Sequence, residues 1–149
     1  MSLQIPASLK SDHEALRARL KRAMREEGRT GEVARQVMQV MDGHMMREEK
    51  FALRPLGLLK ILGRGETPRD LADALELVRG LKREMPQMMD EHRQIAELLR
   101  LLAKEAAAEG KTEYAALAES LILHAHLEED VLYPAAMLVG EYAGLVLKD

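Results

Sequence analysis

Apolar residues recur at three- and four-residue spacing through four segments of the chain, the period of one helical face. Leu9, Leu16, Leu20 and Met24 mark the first, with His13 in the same phase, and predict a helix over Ser8 to Glu27 ended by Gly28. Thr30 is the expected N-cap of a second helix with Val33, Val37, Val40, His44, Glu48 and Phe51 inward and Pro55 breaking or kinking it. Leu56 to Leu62 reads as a short apolar extension, Gly63-Arg64-Gly65 as a turn, and Thr67-Pro68 as the opening of a third helical region reaching about Glu109. Pro86 is expected to divide that region into an accessory segment and a main helix bearing Met88, His92, Ile95, Leu99 and Leu102. Gly110 ends it. Thr112 is then the expected cap of a fourth helix, with Leu117, Leu121, His124, Glu128 and Val131 inward before Pro134, and Ala135 to Leu147 forms a last apolar helix across one end.

These elements predict an all-α fold, an up-and-down four-helix bundle with short accessory helices after Pro55 and at the C-terminus. The length, 149 residues, suits a single domain over 1–149, and a composition 47% apolar and 32% charged with few strand formers agrees with helices alone. The net charge of -3 is spread as interspersed acids and bases, so no basic stripe indicates nucleic acid and no polybasic segment indicates a membrane surface. The chain has no cysteine, which excludes disulfides, thiolate metal sites, iron–sulfur clusters and thiol catalysis. Met1 to Pro6 lacks the apolar run of a secretory signal, no stretch approaches the roughly 20 apolar residues of a span, and a cytoplasmic location is expected.

The polar residues on the apolar stripes change the picture most. In chain order they are His13, then His44 with Glu48, then His92, then His124 with Glu128: a histidine helix and a His-x-x-x-Glu helix, twice. Residues facing each other across an antiparallel hairpin must be equidistant from its turn, since each helix rises about 1.5 Å per residue. The midpoint of His13 and His44 falls at Gly28-Arg29, and that of His92 and His124 at Ala108, both close to predicted turns. Histidine and glutamate four apart stand about 6 Å apart along one helix face, so one segment can hold one ion and reach a second with its carboxylate. Imidazole with carboxylate and no thiolate suits iron or manganese, and zinc or manganese would substitute for iron according to supply. His126 points about 200° away from His124 and is left out. Glu49, Glu129 and Asp130 read as solvated surface. Asp12, Asp90 and Glu91 are candidates to orient the histidines, Met45, Met46, Met88 and Met89 read as core filler, and Tyr133 near the site is expected to pack.

Asp12-His13-Glu14, His44-Met-Met-Arg-Glu48-Glu49, Glu91-His92 and His124-Ala-His-Leu-Glu128-Glu129-Asp-Val-Leu-Tyr133-Pro134 together resemble the hemerythrin-like proteins with a His-His-Glu cation-binding domain, over essentially the whole chain. The resemblance implies a non-haem diiron centre bridged by Glu48, Glu128 and an oxo, hydroxo or water ligand. By analogy His13 and His44 would serve one iron and His92 and His124 the other. Oxygen-carrying members have a fifth histidine that this chain lacks, which puts reversible oxygen carriage in doubt. The four-His, two-Glu set is more similar to that of iron–sulfur-cluster repair proteins of nitrosative stress, without the cysteine-bearing domain those usually carry.

Three functions suit such a set: binding or sensing of O₂, NO or peroxide; reductive turnover of NO or peroxide with an electron donor; and iron storage, donation or a structural metal that stabilises the bundle. The sequence carries no signature of an oligomeric state.

Overall fold

The computed structural model describes residues 3–148, and all regular structure among them is helical. Helices α1 (Ala7–Met24), α2 (Gly28–Glu48), α4 (Leu71–Ala108) and α5 (Thr112–Leu127) form the bundle, with α2 against α1 and α4, and α5 against α4 and α1. A short 3₁₀ turn, Pro55–Leu58, and the five-residue α3 (Leu59–Gly63) link its two halves. Leu20, Val33, Val37, Leu99, Leu102 and Leu117 fill the core between the hairpin turns and the level of the histidines, and a second apolar cluster around Leu53, Leu81, Met88 and Ala136 closes the other side. Each such side chain stabilises the fold by roughly 1.5–3 kcal/mol on burial, which is how a bundle tolerates polar groups in between.

Both hairpins turn on glycine. Gly28 and Gly110 have φ of 75° and 73°, the left-handed conformation that residues with a Cβ resist. Thr30 does not cap α2 with its own side chain: its N–H and that of Arg29 donate to the Glu109 carboxylate at 2.9 and 3.0 Å, and its hydroxyl donates to the same group. The turn of the second hairpin thereby satisfies the unpaired donors at the start of α2. These hydrogen bonds, led by the Thr30 hydroxyl, hold the Glu109 carboxyl down at about 2. Thr112, likewise expected as a cap, is the first residue of α5.

Pro86 does not divide the third region. α4 opens at Leu71, after Thr67-Pro68 rather than at it, and runs for 38 residues through Pro86, about 57 Å at the usual rise. Pro86 and Lys82, whose carbonyl loses its partner, both face solvent, where water takes the lost hydrogen bond, while Leu81 and Met88 on the opposite face are buried.

Two π-helical turns, Glu49–Leu53 and Glu128–Leu132, lie at the two candidate glutamates, the first just after Glu48 and the second opening on Glu128. Each adds about one residue to a turn and so resets which positions face inward. Leu53 and Tyr133, five residues beyond Glu48 and Glu128, are buried, whereas Val131, expected inward, is 52% exposed and Phe51 is only partly covered.

The C-terminal α6 (Tyr133–Leu147) does not cross the end of the bundle as a separate piece. Pro134 lies just after the π turn Glu128–Leu132, and helical backbone continues through it from α5. α6 lies along α4 so closely that a Cβ on Gly140 would come 2.3 Å from a Val78 methyl. Thr112–Leu147 is consequently one helix of 36 residues, long and apolar enough by length and composition to cross a membrane, although Pro134 predicted two shorter pieces. Its inward residues Leu117, Leu121, Glu128, Tyr133, Ala136 and Val139 are buried within the bundle, and a core helix meets the same test. Its outer side exposes Leu123, Leu127, Leu138 and Leu145.

Candidate metal centre

The six residues on the apolar stripes converge at one level of the bundle. His13, His44, Glu48, His92 and Glu128 are buried, and the His124 side chain is nearly so. Each histidine aims Nε2 at the two carboxylates: His13 lies 2.9 Å from Glu48 and 3.4 Å from Glu128, His44 3.4 Å from Glu48, His92 3.4 Å from Glu128, and His124 3.1 Å from Glu128. The donors fall into two groups whose atoms lie within 4.8 Å of one another, His13 with His124 and His44 with His92, and both groups include Glu48 and Glu128.

That grouping differs from the pairing by hairpins that the family resemblance implied. His13 and His124 stand on neighbouring α1 and α5 with ring centroids 5.2 Å apart, and His44 and His92 on neighbouring α2 and α4 at 4.5 Å. Equal distance from the turn sets only the level of each histidine along its hairpin. Which neighbour it turns toward depends on its phase around the helix.

Every Nδ1 meets an acid. His13 pairs with Glu49 at 3.3 Å, His44 with Glu91 at 3.0 Å, His92 with Glu129 at 2.8 Å and His124 with Asp12 at 3.0 Å. The four contacts form a ring in which the acid preceding a lone histidine serves the histidine of a His-x-x-x-Glu segment, and the glutamate following that segment serves the next lone histidine. Asp12 and Glu91 thus take the orienting role expected of them. Asp90 does not, since it pairs with Arg93 on the surface. Glu49 and Glu129 are the residues that the sequence reading assigned to solvent. Their signal was available as the repeated Glu-Glu at the end of each motif, but the π turns that swing the second glutamate back toward a neighbouring helix leave no mark in a regular helical period. Tyr133 is also part of the site: its buried hydroxyl donates to Glu48 and lies 3.1 Å from His92 Nε2. His126 is exposed, as its phase predicts.

Buried charge dominates the electrostatics. Burial alone would depress His13, yet hydrogen bonds and charge from Glu128 and Glu48 outweigh it and raise the imidazole to about 10; against the same burial His92 is raised by Glu128, Glu129 and Glu48, and His124 by Glu128 and Asp12. Burial would raise the Glu128 carboxyl, but contacts with Glu48 and with three histidines hold it well below the usual carboxylate range. Burial, then the charges of Glu48 and Glu128, push the Tyr133 hydroxyl far up. A site of this kind binds cations: positive charge, as protons or metal, is what keeps two carboxylates in a core from costing several kcal/mol each.

Residues 4–136 match the Hemerythrin HHE cation binding domain. The chain belongs to this family. No curated protein and no solved structure matches it. The donor set fits the cation that the family name prescribes. With Nδ1 turned to an acid, each histidine directs its Nε2 to the centre, where a cation can take it, and the buried Nε2 atoms of His44 and His124 have no hydrogen-bond partner. For this hemerythrin-family chain, the acids around Nδ1 should tune affinity. Replacing Glu129 by alanine, which strips His92 of its acceptor, should weaken metal binding by about 10- to 100-fold in a chelator competition titration. Asp90→Ala should leave it unchanged.

Proposed function

We propose that this chain holds a carboxylate-bridged pair of iron ions and binds or reacts with a molecule of the size of O₂, NO or hydrogen peroxide. The observation that carries this reading is a cavity of about 20 Å³ beside the donors, bounded by His44, Glu48, His92, His124 and Glu128 and walled by Met41, Met45, Ile95 and Leu121. That is room for a bound ion or roughly one water-sized molecule. An organic substrate has no place there. When bound, the iron pair supplies exchangeable coordination positions and one-electron redox chemistry. The protein's part is to fix the four imidazoles through their Nδ1 acids, share Glu48 and Glu128 between the two groups, and keep bulk water out. A surface groove lined by Asp12, Leu16, Arg19, Leu123, His124 and Leu127 leads from solvent to the outer edge of His124.

The test is to load the protein with iron, reduce it, and record absorption spectra on adding O₂, NO or peroxide without and with an electron donor. A stoichiometric spectral change with one of them supports binding, and turnover with the donor would make the protein a reductase. Bound iron whose spectrum responds to none of the three sinks the proposal in favour of storage or structural stabilisation.

A further inference from the structure

The His44–His92 group has a fifth donor that the histidine and glutamate motifs leave out. We infer that Tyr133 is a ligand of the ion held by His44 and His92 through its phenolic oxygen; the inference rests on the iron-pair reading above. Tyr133 is held there by the architecture, not by chance packing. The π turn Glu128–Leu132 carries it five residues past Glu128 and back onto the inward face, and Pro134 and the buried Ala136 fix the helix that follows. Its hydroxyl oxygen is buried, in contact with Glu48 and 3.1 Å from His92 Nε2. Two donors bound to one ion at about 2.1 Å and at right angles lie about 3.0 Å apart, so this spacing is that of neighbouring ligands on a single ion. The other donors of the group are set alike, with His92 Nε2 3.4 Å from Glu128 and His44 Nε2 3.4 Å from Glu48.

Without a cation the hydroxyl keeps its proton and donates it to Glu48. With one, the O–H bond is replaced by an O–metal bond and the proton leaves to solvent, as protons do when ligands bind metals. No oxidant or reductant enters this step. Tyrosine is an established type of iron ligand.

Ferric phenolates absorb visible light by charge transfer from the ring to the metal and enhance ring vibrations in resonance Raman spectra, and a tyrosine that only packs or donates a hydrogen bond does neither. The experiment is to load wild type, Tyr133→Phe and Tyr142→Phe with iron, oxidise each with ferricyanide, and measure iron content, visible absorption and Raman spectra. Wild type and Tyr142→Phe should show the band and the phenolate modes, and Tyr133→Phe should lose both while retaining iron. Iron bound by wild type without a phenolate band, or a band that survives in Tyr133→Phe, overturns the assignment and leaves the iron pair standing. A wild-type chain that takes up no iron overturns both.

Discussion

Protein produced with ample iron should carry about two ions per chain, and Glu48→Ala/Glu128→Ala should carry almost none, because both donor groups lose the carboxylates they share. The grouping of the histidines makes the prediction sharper. His13→Ala/His124→Ala removes both imidazoles of one group and should leave about one ion per chain. His13→Ala/His44→Ala removes one imidazole from each group and should weaken both sites together. Pairing by hairpins would give the reverse, with His13→Ala/His44→Ala leaving one ion intact. Metal analysis of the three double variants beside wild type separates the cases. Loading should also stabilise the wild-type fold: ligand at 100 times its Kd contributes about 2.7 kcal/mol, or roughly 5–10 °C in melting temperature for a chain of this size. The glutamate double variant should show no such shift.

Metal-free and iron-loaded protein should respond to pH in different ways. In the metal-free bundle the pKa of His13 is raised from 6.5 to about 10, and those of His92 and His124 are raised as well. A group raised on folding contributes stability that is fully present below its unfolded value and is lost as pH climbs through its folded value. The metal-free protein should therefore weaken steadily from pH 6.5 toward pH 10, with His13 alone accounting for about 4–5 kcal/mol. Glu128, lowered on folding, acts on the other limb: its contribution is present above 4.5 and is lost as pH falls through its depressed value. Maximal stability of the metal-free form thus lies between about pH 4.5 and 6.5. Iron takes the place of the protons at Nε2, so the loaded protein should lack the alkaline decline, and the difference in melting temperature between the two forms should widen from pH 6.5 upward. Thermal melts of both forms across this range read the effect. A metal-free melting temperature that stays level from pH 6.5 to 10 would mean that the histidines are not held by the carboxylates.

Where the sequence was sufficient, the reason is periodicity. His13, His44, Glu48, His92 and His124 lie on regular stretches of helix and Glu128 directly follows one, so their phase fixed which side they face and their distance from the glycine turns fixed their level. The failures occur where the backbone leaves the regular period or where a partner comes from another helix. Val131 and Phe51 lie in the π turns, which shift the inward face by about one residue and bring Leu53 and Tyr133 inward instead. Pro86 signals a break by local rules, but tertiary packing of Leu81 and Met88 on the opposite face outweighs one lost backbone hydrogen bond on the solvent side. The capping of α2 by Glu109 joins residues about 80 positions apart, beyond any local capping rule. Glu49 and Glu129 were missed for both reasons at once, since each lies in a π turn and serves a histidine on a different helix.

Diffraction from crystals of the iron-loaded protein, with anomalous data collected at the iron edge, tests the centre most directly. Two peaks about 3.5–4 Å apart are expected, both in contact with Glu48 and Glu128, one flanked by His13 and His124 and the other by His44 and His92. A single peak, or two peaks divided between the His13–His44 and His92–His124 pairs, would contradict it.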